Sequence, residues 1–158
     1  MLKTYLALLR IAIGSVFLWA FFDKLLGLGY STLPSKAWLA GGSPTFGFLK
    51  SASGSFAPIF NGLAGQMWVD WLFMAGLLGI GIALVLGIGM RVAAYTGSLL
   101  LLLMYLAVFP PKTNPILDDH IVYILALLAL NSANAGRFLG FGKAWGKSKL
   151  VKQYPLLQ

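Results

Sequence analysis

The ten residues Asn114-Pro-Ile-Leu-Asp-Asp-His-Ile-Val-Tyr123 hold two of the four acidic residues of this chain and its only histidine. They open a long apolar run from Ile121 to Ala135. A carboxylate beside an imidazole fixes the ring tautomer and makes a proton-handling pair, so Asp119 and His120, with Tyr123 one turn on, are candidates for proton transfer at the mouth of an apolar helix. Titratable groups in such a place are expensive and are functional candidates for that reason. The same residues also suit helix initiation, with Asn114 as a cap, Pro115 in the first turn, and Asp118 and Asp119 near the positive end of the helix dipole.

The other two acids fall in comparable places. Asp23 lies near the end of the first apolar segment, about 7 Å inside Leu28 at 1.5 Å per residue, and shares a helix face with Trp19. Lys24 follows it and is expected to snorkel toward the headgroups. Asp70 stands in the first turn of the second apolar segment between Trp68 and Trp71, the kind of aromatic pair that anchors a helix at an interface. Protons delivered to carbonyl oxygens beside an apolar slot are what quinone reduction or oxidation requires. The expected site is therefore Asp23, Asp70, Asp119 and His120 for proton handling, with Trp19, Lys24, Trp71 and Tyr123 against the quinone or other ligand. Gly41-Gly-Ser-Pro-Thr45 reads as a turn or as a backbone nest for an anion.

The elements that must position these residues are membrane spans. Of 158 residues, 59% are hydrophobic and only 10% charged, with a mean hydropathy of +0.83. Soluble domains carry about a quarter charged residues. At about 20 residues per crossing, four spans are expected over 9–28, 68–88, 92–109 and 117–138, in one all-α membrane domain. The first segment lacks a small-residue cleavage signature and reads as a retained span. Residues 29–65 form the one long connection, and Phe56, Ile59, Phe60 and Leu63 recur there at helical spacing. Only Met90 and Arg91 separate the second and third spans, which predicts an antiparallel hairpin. Ala75, Gly79, Ala83 and Gly87 form a small-residue stripe expected to meet another helix. Leu9-Arg-Ile-Ala12 and Met90-Arg-Val-Ala93 look like a faint internal repeat.

Composition also removes chemistry. Cysteine is absent, so thiolate metal sites, persulfide chemistry and thioether haem attachment have no residue in this chain. A single histidine excludes bis-histidine haem within it, and neither metal nor haem is expected. Eight of the twelve basic residues lie on the side of the two termini and of Arg91, four on the other. The positive-inside rule then puts both termini in the cytoplasm of a multi-pass cell-membrane protein. All four acids fall on the outer side. The net charge of +8 follows topology and points to membrane lipids rather than to nucleic acid.

The order of Arg10-Ile-Ala-Ile-Gly14, Phe22-Asp-Lys-Leu25, Gly41-Gly-Ser-Pro-Thr-Phe-Gly47, Asp70-Trp-Leu-Phe-Met-Ala-Gly76, Pro110-Pro and Asn114-Pro-Ile-Leu-Asp-Asp-His120 resembles the DoxX/DoxD membrane-protein family over about residues 5 to 155. The resemblance implies a four-helix membrane bundle with a long extracytoplasmic loop carrying short surface helices. The name-giving DoxD protein is the larger subunit of a thiosulfate:quinone oxidoreductase and works with a smaller DoxA subunit. The resemblance thus implies a quinone-linked oxidoreductase subunit that passes electrons from thiosulfate or a similar small donor to membrane quinone. The alternative is a non-catalytic accessory subunit that scaffolds a redox or other membrane complex. Either reading expects a partner subunit or a homo-oligomer, and any sulfur-carrying nucleophile would come from the partner.

Overall fold

The structure is a computed structural model that describes residues 1–112, 114 and 116–157. Among the described residues every regular element is a helix. Three helices are long and apolar enough to cross a membrane: α1 (Leu2–Leu26), α4 (Met67–Leu86) and α5 (Met90–Ala107). Between α1 and α4 come two short helices, α2 (Phe46–Lys50) and α3 (Ala57–Leu63). After α5 follow α6 (Asp119–Ser132), α7 (Gly142–Trp145) and α8 (Lys149–Gln153).

Close approach of backbones sets the register of α1 on α4. A Cβ on Gly14 would stand 2.9 Å from Leu84 Cβ, and one on Gly81 would stand 2.7 Å from Leu18 Cγ. Low residue numbers of α1 thus face high numbers of α4, and the two run antiparallel. The α4 face that packs inward carries Met74, Leu77, Ile80, Gly81 and Leu84, spaced by three and four residues as a helix stripe requires. The turn through Gly87 and Gly89 sends α5 back beside α4, and Gly97 of α5 meets both Ile80 and Leu127 of α6. Buried Ile13, Phe17, Phe21, Leu101, Leu127 and Leu130 close the core.

Several sequence expectations change. α1 starts at Leu2, so Arg10 lies within the helix rather than near its mouth. α6 starts at Asp119, capped by Asp118 rather than by Asn114, and it ends at Ser132. Its 14 residues reach about 21 Å at 1.5 Å per residue, short of the ~30 Å of a bilayer core. Asn114 instead makes a local turn, its Oδ1 accepting from Ile116 N–H at 3.1 Å and Leu117 N–H at 3.2 Å. Pro115, expected in the first helical turn, lies outside the described residues. Only part of the stripe on α4 is packed among the described residues: Gly87 lies against Gly136 and the Arg10 side chain, and Ala83 is partly buried against the core. A Cβ on Gly79 would find nothing within 4 Å. Ala75, Gly79 and Ala83 line an open apolar groove of about 620 Å³ between the outer faces of α4 and α5. Lipid-facing helix surfaces carry no penalty for apolar exposure, so periodicity alone cannot say which small-residue face is packed.

Candidate functional site: the outer loop and the slot beneath it

The antiparallel registers bring the C-terminal end of α1, the N-terminal end of α4 and the N-terminal end of α6 to one end of the molecule. Asp23, Asp70, Asp118 and His120 therefore share that end, and each makes its polar contacts locally. Asp23 is 1% exposed. Its carboxylate accepts from Tyr30 N–H at 3.3 Å, Ser31 N–H at 3.0 Å and Ser31 Oγ–H at 2.6 Å. The chain must reverse sharply to allow this. Gly27 does so at φ 68°, where it ends α1, a backbone conformation that strains any residue with a Cβ.

Asp70 repeats the arrangement from the other helix. One oxygen, Oδ1, accepts from Ser43 Oγ–H at 2.9 Å, Thr45 N–H at 3.1 Å and Thr45 Oγ1–H at 2.6 Å. The Gly41–Thr45 turn thus holds the chain's own Asp70, through two hydroxyls and one backbone N–H rather than a nest of successive amides. Hydrogen bonds to a charged group contribute about 1.5–3 kcal/mol each, so the two carboxylates act as clamps at opposite ends of the first half of the outer connection. Between them, Trp19 meets Tyr30 edge-on at 5.0 Å, and Trp38 meets Trp71 edge-on at 4.7 Å. Trp19 and Trp71 keep their other faces exposed.

At α6 the partner of His120 is Asp118, not Asp119. His120 Nδ1 lies 2.7 Å from Asp118 Oδ2, while Asp118 Oδ1 accepts from His120 N–H at 3.0 Å. A proton on Nδ1 leaves Nε2 as the ring nitrogen available to a further partner. Asp119 is exposed and Tyr123 packs partly against the core. Residue Asp118 precedes the helix and satisfies its orphan amides, which is why its carboxylate, and not that of its neighbour, turns toward the ring.

Beneath the second half of the connection lies an apolar slot of about 200 Å³. Phe48 and Leu49 of α2, Phe60 and Leu63 of α3, Phe73 of α4 and Met104 of α5 form its walls. Among the described residues Lys24 is its only charged lining residue, and Thr45, the residue clamped by Asp70, is one of its edges. Of the eight residues singled out from the sequence, Lys24 alone reaches the slot. No hydrogen bond or ion pair joins Asp23, Asp70 and the Asp118–His120 pair to one another among the described residues; the one ion pair is His120 with Asp118.

From the sequence Arg10 reads as a topological charge and part of the repeat and resemblance motifs, with no structural role assigned to it. It is wholly buried. Its guanidinium donates to the carbonyl groups of Leu84 and Val85 at the end of α4, and to Phe138 and Leu139 beyond α6 at 3.2 and 3.0 Å. The signal was available: an arginine flanked by Leu8, Leu9, Ile11 and Ile13, on the same face as Gly14, has no water to reach and must find carbonyls.

No protein-family model matches the chain, nor does any curated protein or solved structure.

Proposed function

We propose that this chain is an integral membrane subunit of a quinone-linked oxidoreductase, with the quinone ring held in the slot under the outer loop. The observation that carries the reading is the slot itself: apolar walls from four helices, one amine at Lys24 and one hydroxyl at Thr45. Its volume of about 200 Å³ falls below the ~300–1,000 Å³ usual for drug-sized ligands, so it fits a ring head whose tail runs out along the helices. A bound quinone would supply two-electron, two-proton redox chemistry. The residues of the chain do the rest. Lys24 donates a hydrogen bond to a carbonyl oxygen, Phe48 and Phe60 exclude water, and Asp70 fixes the edge of the slot through Thr45. His120 Nε2 is available for proton exchange at the same end of the molecule. Both termini lie in the cytoplasm in this reading, and the donor, thiosulfate or another small anion, arrives on the outer side, where Lys24, Lys36, Lys50 and Lys112 provide the basic charge.

A second reading has its own observation. Asp23 and Asp70 are saturated by loop donors, as expected of a non-catalytic accessory subunit whose clamped loop presents a surface to a partner. Thiosulfate-dependent quinone reduction, followed in membranes containing the chain, separates the two. The oxidoreductase reading expects turnover that Met104→Trp, which fills the slot, abolishes. Turnover unchanged by Met104→Trp refutes it, and no turnover from a chain that still retains quinone favours the accessory subunit.

A further inference from the structure

The end of the molecule that carries both termini holds a second cavity, of about 220 Å³, and its chemistry is the reverse of the slot's. Arg91 from the first turn of α5 and Arg137 from the turn after α6 stand over it, with Asn131, Ser132 and Asn134 between them and Trp145 of α7 along one side. Among the described residues no side-chain carboxylate lines it. Arg137 makes no ion pair and no side-chain hydrogen bond among the described residues, and Arg91 makes a single long bond, to Pro155 O at 3.4 Å. The floor is glycine backbone: Gly87, Gly136 and Gly142 pack so closely that a Cβ on Gly142 would stand 2.5 Å from Gly136 O. Behind that floor sits the buried guanidinium of Arg10, whose Nη1 would be 2.9 Å from a Cβ on Gly87. Its hydrogen bonds go to carbonyl groups, so its positive charge is not cancelled by a carboxylate.

Two guanidinium forks, one with a single long bond and the other with no side-chain partner among the described residues, a third positive charge behind the wall and two side-chain amides converge on one small polar space. We propose that this cavity binds a phosphoryl group. Planar arginine forks match phosphate oxygens in pairs, and the side-chain amides of Asn131 and Asn134 supply the remaining donors. The group is either the phosphate of an anionic lipid headgroup or a free phosphate or phosphate ester from the aqueous phase. Trp145, which lines one side of the cavity, suits the first source as an interfacial aromatic, and the experiment distinguishes the two.

The full chain, purified in an uncharged detergent, is probed with phosphatidylglycerol by native mass spectrometry and with inorganic phosphate by thermal shift. Wild type is expected to retain phosphatidylglycerol, to be stabilised by phosphate, or both. Retention of the lipid alone identifies a headgroup site, and stabilisation by phosphate identifies a site open to the soluble anion. Arg91→Gln with Arg137→Gln should weaken whichever binding occurs by about tenfold or more, the effect of losing charge-assisted bonds. Arg137→Gln alone should weaken it several-fold and keeps the test readable if the double variant does not fold. Lys149→Gln with Lys152→Gln removes equal charge outside the cavity and should leave binding within about twofold. Binding of neither probe, binding that survives the loss of Arg137, or equal loss in the lysine variant would overturn the proposal.

Discussion

Arg10 is the residue on which the packing of α1 against both α4 and the tail depends. Removing it strands four carbonyl groups that its guanidinium now satisfies. Arg10→Met keeps the apolar stem and loses the donors. With about 1.5–3 kcal/mol for each bond to a charged group, partly offset by burying no charge, a net loss of about 3 kcal/mol is expected, seen as a lower melting temperature in detergent. A parent-like melt would mean that water or lipid replaces the contacts. Asp70→Ala releases Ser43 and Thr45, and should make the Gly41–Thr45 turn the first site of limited proteolysis while the helices stay intact. Cleavage no faster than in wild type would contradict the clamp. The sequence showed that these carboxylates were special, because each sits where an apolar helix meets the interface. It did not show what they bind. The donors are hydroxyls and amides of loop residues 7–8 and 25–27 positions away along the chain, and hydroxyl-rich loops carry no periodicity to reveal such pairing. The choice of Asp118 over Asp119 for His120 turned on one residue of helix boundary, which is the least legible feature of a helix in sequence.

At the scale of elements, three of the four expected spans were legible from hydropathy and length, and the hairpin of α4 and α5 from the short gap between them, although its turn is residues 87–89 and Met90 and Arg91 belong to α5. The packed faces were not. Lipid is as apolar as a helix neighbour, so α4 shows no strong apolar stripe to mark its inner side, and two small-residue faces compete. The structure selects the Gly81 face. Gly81→Leu should therefore drive α1 from α4 and abolish a cooperative melt, whereas Gly79→Leu should melt within about 0.5 kcal/mol of the parent in the monomer, as substitutions away from packed features do. Parallel thermal melts of the two variants decide the matter, and equal destabilisation would contradict the register of α1 on α4.

At the scale of the molecule, the two ends differ in charge and in chemistry. One end gathers the four acids and the ordered connection over an apolar slot. The other gathers both termini, with Lys3 lying 5.5 Å from the ring of Phe138, and most of the basic residues. The proposed orientation predicts that a reporter fused after Gln158 reads as cytoplasmic and one inserted within Ser51–Gly54 reads as exterior; the reverse pattern would place the slot on the wrong side for an external donor. The central claim is that the slot holds a quinone, and the most direct measurement is the quinone content of the protein purified with its native lipids. The account predicts close to one quinone for each wild-type chain and almost none for a folded Met104→Trp. Absence of quinone from the wild type, or equal amounts in both proteins, would contradict it.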